Sequence, residues 1–144
     1  AMPEMKTADA TFQTFAKAKQ TSLELMDAER QKLVTSYEEK YKTLSEANRA
    51  TLEKELTTLV ASIQDLEKRI TDAQEKAQEE LTTKRTEIYQ PVFKKAEDAV
   101  KAVAKEKGFA YVFDVSQPGV VYFDGGTDLI NDVKTKLGIT TAAK

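Results

Sequence analysis

Between Pro3 and Pro91 the chain has neither glycine nor proline, and all five glycines fall at Gly108, Gly119, Gly125, Gly126 and Gly138. These two residue types are the strongest local breakers of regular structure. The first part of the chain is therefore free to be helical, and the turns crowd into the last part. The apolar spacing agrees. Leu23, Met26, Arg30, Leu33, Tyr37, Tyr41 and Leu44 follow one another by steps of three and four. Leu52, Leu56, Leu59, Ile63, Leu66, Ile70, Ala73 and Ala77 do the same. Both are narrow seams of the coiled-coil kind. Between them lies Ser45-Glu46-Ala47-Asn48-Arg49. Ser and Asn favour caps and turns, so the reversal is expected there.

Length supports one antiparallel hairpin. A helix from Met5 to Leu44 spans roughly 60 Å at about 1.5 Å per residue. A second helix starting near Ala50 regains the level of Met5 near Tyr89, just before Pro91. Proline inside a helix removes a backbone donor and clashes with the preceding turn, so Pro91 should kink or interrupt the helix.

The remainder reads differently. Val92 to Lys107 continues as helix, with Val92, Ala96, Ala99, Val100 and Val103 on one face, and Gly108 stands where helices commonly stop. Phe109–Val115 is rich in strand formers. Ser116–Gly119 has Pro before Gly, the order of a type II turn. Val120–Asp124 is expected as a second strand. Thr127 is then expected to cap a last helix, with Asp128 in its first turn and Leu129, Ile130, Val133 and Leu137 as its apolar face. A lone two-stranded hairpin is marginal and leaves open edges. This poverty of core predicts oligomerisation through Phe109, Tyr111, Phe113, Val115, Val121 and Phe123.

Composition narrows the chemistry. The chain has no Cys and no His, which removes thiol nucleophiles, disulfides, Cys/His zinc sites and Ser-His-Asp triads. A net charge of −2 gives no long-range pull toward nucleic acid, and the tyrosines lack the basic clustering of a nucleic-acid platform. No stretch approaches a membrane span. There is no phosphate-binding G-x-x-x-x-G-K-[ST] loop. Asp124–Asp128 lacks the spaced oxygen ligands of a calcium loop, so a turn and helix cap is expected there. Carboxylates are plentiful, but nothing gathers them in an apolar pocket that would shift a pKa. No enzyme activity, metal or cofactor is expected.

The stretches AVAKEKGFAYVFDVS and VVYFDGGTDLINDVKTKL resemble the Skp family, also called OmpH-like, in its helix end, glycine and strand and in its second strand, Asp-led turn and closing helix. RATLEKEL resembles the start of that family's returning arm helix, and MPEMKTA the start of its outgoing helix in one branch. The resemblance covers essentially the whole chain and is most specific from Ala102 to Leu137. It implies an α+β, mostly helical fold: a long antiparallel coiled-coil hairpin arm on a small β-containing body, trimeric and jellyfish-like. Residues 1–4 are expected as an N-terminal remnant, 5–90 as the arm with its tip near 45–49, and 91–138 as the body. That body would hold a helix, a β-hairpin over 109–124 and a C-terminal helix, with 139–144 as a tail. Family members usually begin with a short apolar strand. Here the chain opens at Ala1-Met2-Pro3, with that strand either upstream or absent from this branch.

The resemblance also implies a periplasmic holdase, its signal peptide outside this chain, that works without ATP. Unfolded outer-membrane proteins would be its clients, held in a cavity between the arms of a homotrimer. It implies no membrane span, and peripheral proximity to a membrane is compatible with it. A hairpin two helices thick cannot hide every apolar side chain. The candidates for client contact are Leu33, Val34, Tyr37, Tyr41, Leu44, Leu52, Leu56, Val60 and Ile63, with Val34 and Val60 widening the seams locally. The plain alternative for each is coiled-coil core. Arg30 either sets the register of its seam or lays its stem along it and reaches water. Two rivals stand beside the holdase. A coiled-coil scaffold would need only the seams. A prefoldin-like protein would carry its strands between the arm helices, whereas here they follow both.

Overall fold

The computed structural model describes residues 2–116, 120, 122 and 124–139. Among these described residues three helices follow in order: α1 over Pro3–Lys42, α2 over Arg49–Lys107 and α3 over Ile130–Lys136. Proline at the first position of α1 lacks a donor that would have no helical partner anyway, and Glu4 in the first turn favours the positive end of the helix dipole. Lys40 and Lys42 close α1, and Lys105 and Lys107 close α2, each with the charge that suits a C-terminus. The chain divides into two compact units, Phe12–Lys84 and Ala1–Thr11 with Arg85–Lys144.

The unit Phe12–Lys84 is a two-helix hairpin. Lys19 pairs with Glu80, and Lys40 Nζ lies 2.5 Å from Glu55 Oε2. Partners descend α2 as they ascend α1, so the helices are antiparallel. Asn48 holds the turn. Its Oδ1 accepts from Ser45 N–H at 2.8 Å, and its Nδ2 donates to the Thr43 carbonyl at 2.8 Å. Its own carbonyl accepts from Leu52 N–H at 2.9 Å and opens α2. Arg49 adds an ion pair to Glu46 at 3.1 Å. The packed interior is thin: Leu56, Leu66 and Ala77 are buried, and Leu66 is only 2% exposed. Leu23, Met26, Leu33, Tyr37, Leu52, Leu59, Ile63 and Ile70 are half-buried. Full burial of such a side chain contributes about 1.5–3 kcal/mol, so most seam positions deliver only part of that. Arg30 keeps its charge near water, its Nε and Nη2 donating to Asp27 Oδ1 on the same helix at 3.0 and 2.9 Å.

In the other unit Ala8, Val92, Ala99 and Val103 are buried. Glu4 pairs with Lys95, and Tyr89 Oη donates to Asp9 Oδ1 at 2.8 Å. α2 is continuous through Pro91, so the proline removes a backbone donor without ending the helix. Gly108, at φ +74, ends it. Gly108 N–H donates to the Lys105 carbonyl and Phe109 N–H to the Ala104 carbonyl, at 3.3 and 2.9 Å. This crossed pair is a Schellman cap, which needs a left-handed residue and favours glycine. α3 is tied to the end of α2 by Lys107–Asp132 at 2.6 Å and by Lys136–Glu106.

Two expectations need correction, and a third, the β-hairpin, is not seen among the described residues. No strand forms among the described residues; 109–114 carry no regular structure and a turn follows at Val115–Ser116. Strand-forming side chains are not enough, because a strand exists only through a neighbour that accepts and donates its hydrogen bonds. Gln117, Pro118, Gly119, Val121 and Phe123, and with them the type II turn and part of the second strand, lie outside the described residues. Thr127 is not the cap of α3: Leu129 occupies that position without a side-chain cap. Asp128 Oδ1 accepts from Ile130 N–H at 2.8 Å instead. Ile130 is 55% exposed and is not on a buried face, while Leu129, Val133 and Leu137 are half-buried.

Candidate functional site

Among the described residues, the apolar side chains singled out in the sequence form two groups that reach solvent. The first is the turn-proximal part of the hairpin Phe12–Lys84. Tyr37 and Tyr41 stand one turn apart on α1, and their rings stack with centroids 6.1 Å apart at 13°, as side chains four residues apart on a helix can. Tyr37 is half-buried, whereas Tyr41 is 57% and Val60 38% exposed. Leu33, Val34, Leu44, Leu52 and Ile63 are half-buried, each presenting an edge. Leu56 is a correction: at 7% exposure it belongs to the packing between the two helices and offers no surface to a ligand.

The second surface is the segment after α2. Once the Schellman cap has turned the chain at Gly108, Phe109 is 39%, Tyr111 79%, Phe113 72% and Val115 52% exposed. Tyr111 and Phe113, two residues apart, lie on one side of the chain. Their rings stack at 6.3 Å and 21°. Asp114 ends the run by accepting from Ser116 N–H and Oγ at 2.9 and 2.6 Å, a local turn that Asp side chains favour. Val121 and Phe123 lie outside the described residues. Exposed aromatic surface is thus gathered on one short segment.

Sequence reasoning missed an aromatic pair on α2. Tyr89 and Phe93 stack with centroids 6.2 Å apart, and Phe93 is 59% exposed. The signal was available: Phe93 sits one residue off the face formed by Val92, Ala96, Ala99 and Val103, so it points outward. The hydrogen bond to Asp9 holds the Tyr89 phenol above its ordinary 10.0, because the bond exists only while the proton is present. Leu25, 67% exposed on α1, was missed too, being off the seam.

The shifted carboxylates are ion-paired surface groups: Glu4, Glu80 and Glu97 are each lowered from 4.5, first by a hydrogen bond from Lys95, Lys19 and Lys101 respectively. Among the described residues no group of acidic side chains is placed to hold a metal ion, and no helix is long and apolar enough to cross a membrane. What the arrangement offers is apolar contact on a charged, thin scaffold.

The comparisons with known proteins fit that picture. No curated protein and no solved structure matches the chain. The family model described as outer membrane protein (OmpH-like) matches residues 1–137. With that match running from the first residue of α1's leader to the end of α3, the chain belongs to the OmpH-like family.

Proposed function

We propose that this protein is an ATP-independent holdase chaperone of the periplasm. It binds unfolded outer-membrane β-barrel proteins through the hairpin and keeps them from aggregating. The OmpH-like family is associated with periplasmic chaperones of outer-membrane proteins. The observation that carries the reading is the exposure of Tyr41 and Val60 beside a row of half-buried apolar residues, on a hairpin too thin to cover them. Each side chain buried by a client contributes a fraction of about 1.5–3 kcal/mol. Several together hold an unfolded chain, while each contact exchanges readily.

The working form is a homotrimer, assembled through Phe109, Tyr111, Phe113, Val115, Val121 and Phe123. This is supported by the exposure of the four described members and by the absence of strand pairing for 109–116 within one chain. Strands from three chains would give one another the neighbours each lacks, and three arms would enclose the client.

The test is dilution of a urea-unfolded outer-membrane β-barrel protein into buffer without nucleotide, followed by light scattering. Suppression at stoichiometric trimer is expected. Unchanged aggregation in the presence of folded trimer contradicts the holdase and favours a coiled-coil scaffold.

A further inference from the structure

We propose that Asp124 is a site of spontaneous isoaspartate formation, and that the rest of the chain is protected from it. The reaction needs the backbone nitrogen of the next residue to reach the aspartate side-chain carbonyl carbon. Side chains on that next residue and helical backbone both oppose it. Asp124 is the one aspartate followed by glycine, and no asparagine is followed by glycine.

The structure separates Asp124 from its rivals. Asp9, Asp27, Asp65, Asp72 and Asp98 lie inside α1 or α2, and Asn131 and Asp132 inside α3. There the following N–H is held in helical geometry away from the side chain. Asn48 precedes a bulky arginine and has its carboxamide held by Ser45 and Thr43. Asp114 precedes the β-branched Val115, and its Oδ1 is engaged by Ser116. Asp128 precedes Leu129, and its Oδ1 is engaged by Ile130 N–H. Asp124 and Gly125 are exposed, outside any helix or strand. Gly125 has φ +82, and nothing lies within 4 Å of where its Cβ would stand. The conformational freedom of glycine lets the nitrogen approach.

The chemistry balances without a co-reactant. Gly125 N bonds to Asp124 Cγ, and one side-chain oxygen leaves as water with the amide proton and the carboxyl proton. The resulting succinimide takes up one water. Cleavage at the former side-chain carbonyl restores aspartate. Cleavage at the former backbone carbonyl leaves the main chain running through Cβ, with a free α-carboxylate and no net change in mass. The product adds a methylene to the backbone at the end of the segment proposed above to assemble the trimer. Ageing at Asp124 therefore weakens assembly; this consequence, unlike the chemistry, rests on the proposed function.

The test ages the full chain at physiological temperature in buffer made with ¹⁸O-water. The protein is digested, and fragmentation locates both the heavy oxygen and the isoaspartyl linkage. Label and linkage should accumulate at residue 124 and nowhere else. Asp124→Glu, which leaves Gly125 untouched, should abolish both. Gly125→Ala should slow them at least about tenfold by restricting the backbone. Label concentrated at any other aspartate or asparagine, or none at 124 after ageing, overturns the proposal. The aged fraction is also sized by sedimentation. Isoaspartate at 124 in an intact trimer overturns only the link to assembly, whereas a fresh chain that is monomeric contradicts the trimer itself.

Discussion

Asn48 shows how much one side chain can do in a hairpin of this kind. Its carboxamide closes the end of one helix and braces the start of the next, accepting from Ser45 and donating to Thr43. Replacing it by Ala removes both bonds, and loss of such a cap typically costs about 1 kcal/mol. Asn48→Ala should lower the urea midpoint of unfolding accordingly while leaving helix content at low denaturant unchanged. The residue types of the turn are legible in the sequence as Ser and Asn; the double bonding is not, because it depends on where Thr43 and Ser45 come to lie. Burial sorts the seam in the same way. Leu66 is 2% exposed and Val60 38%, so Leu66→Ala should cost about 2–5 kcal/mol, measured by urea denaturation. Val60→Ala should cost well under that. Spacing puts Leu56 and Leu66 in one seam, with Leu56 among the expected contact residues, yet both are buried, since a three-four repeat does not say how closely two helices approach at each level.

Helices were the elements most legible in the sequence, because the period of apolar residues and the missing breakers act locally. The strands were not, because Phe109–Val115 carries the right side chains but strand formation needs a partner from elsewhere. Pro91 is intermediate: the sequence leads to a kink or an interruption there, whereas α2 runs on through it. Pro91→Ala should raise the thermal midpoint, with a gain of up to about 3 kcal/mol if the surrounding contacts stay as they are. The ion pairs between helices give a pH dependence with a defined sign. The hydrogen bond from Lys19 lowers Glu80 from its ordinary 4.5. Its contribution is therefore complete above 4.5 and is lost as pH falls through the lowered folded value. Glu4, lowered by Lys95, acts in the same direction. Urea midpoints should fall as the buffer is taken below 4.5, and Glu80→Gln should lower the neutral-pH midpoint and flatten that fall. Both groups are only half-buried, so the effect is small and weakens with salt.

At the scale of the whole molecule, the chain puts much of its length into helices with little interior. Among the described residues, Phe109, Tyr111 and Phe113 expose aromatic surface on one short segment after α2. A monomer in this state would be a poor end point, which is why assembly is part of the proposed function. Tyr111→Asp combined with Phe113→Asp should convert the proposed trimer to monomer by sedimentation equilibrium while helical circular dichroism stays near the parent value. The central claim, that the turn-proximal apolar surface of the hairpin holds the client, is tested most directly by site-specific photocross-linking. A benzophenone side chain is placed at Tyr41, Val60 or Gln78, the last on the polar stretch of α2, and each variant is illuminated with a urea-diluted outer-membrane β-barrel protein. Strong adducts from 41 and 60 with little from 78 are predicted. Equal yields at all three positions, or adducts from 78 alone, would contradict the account.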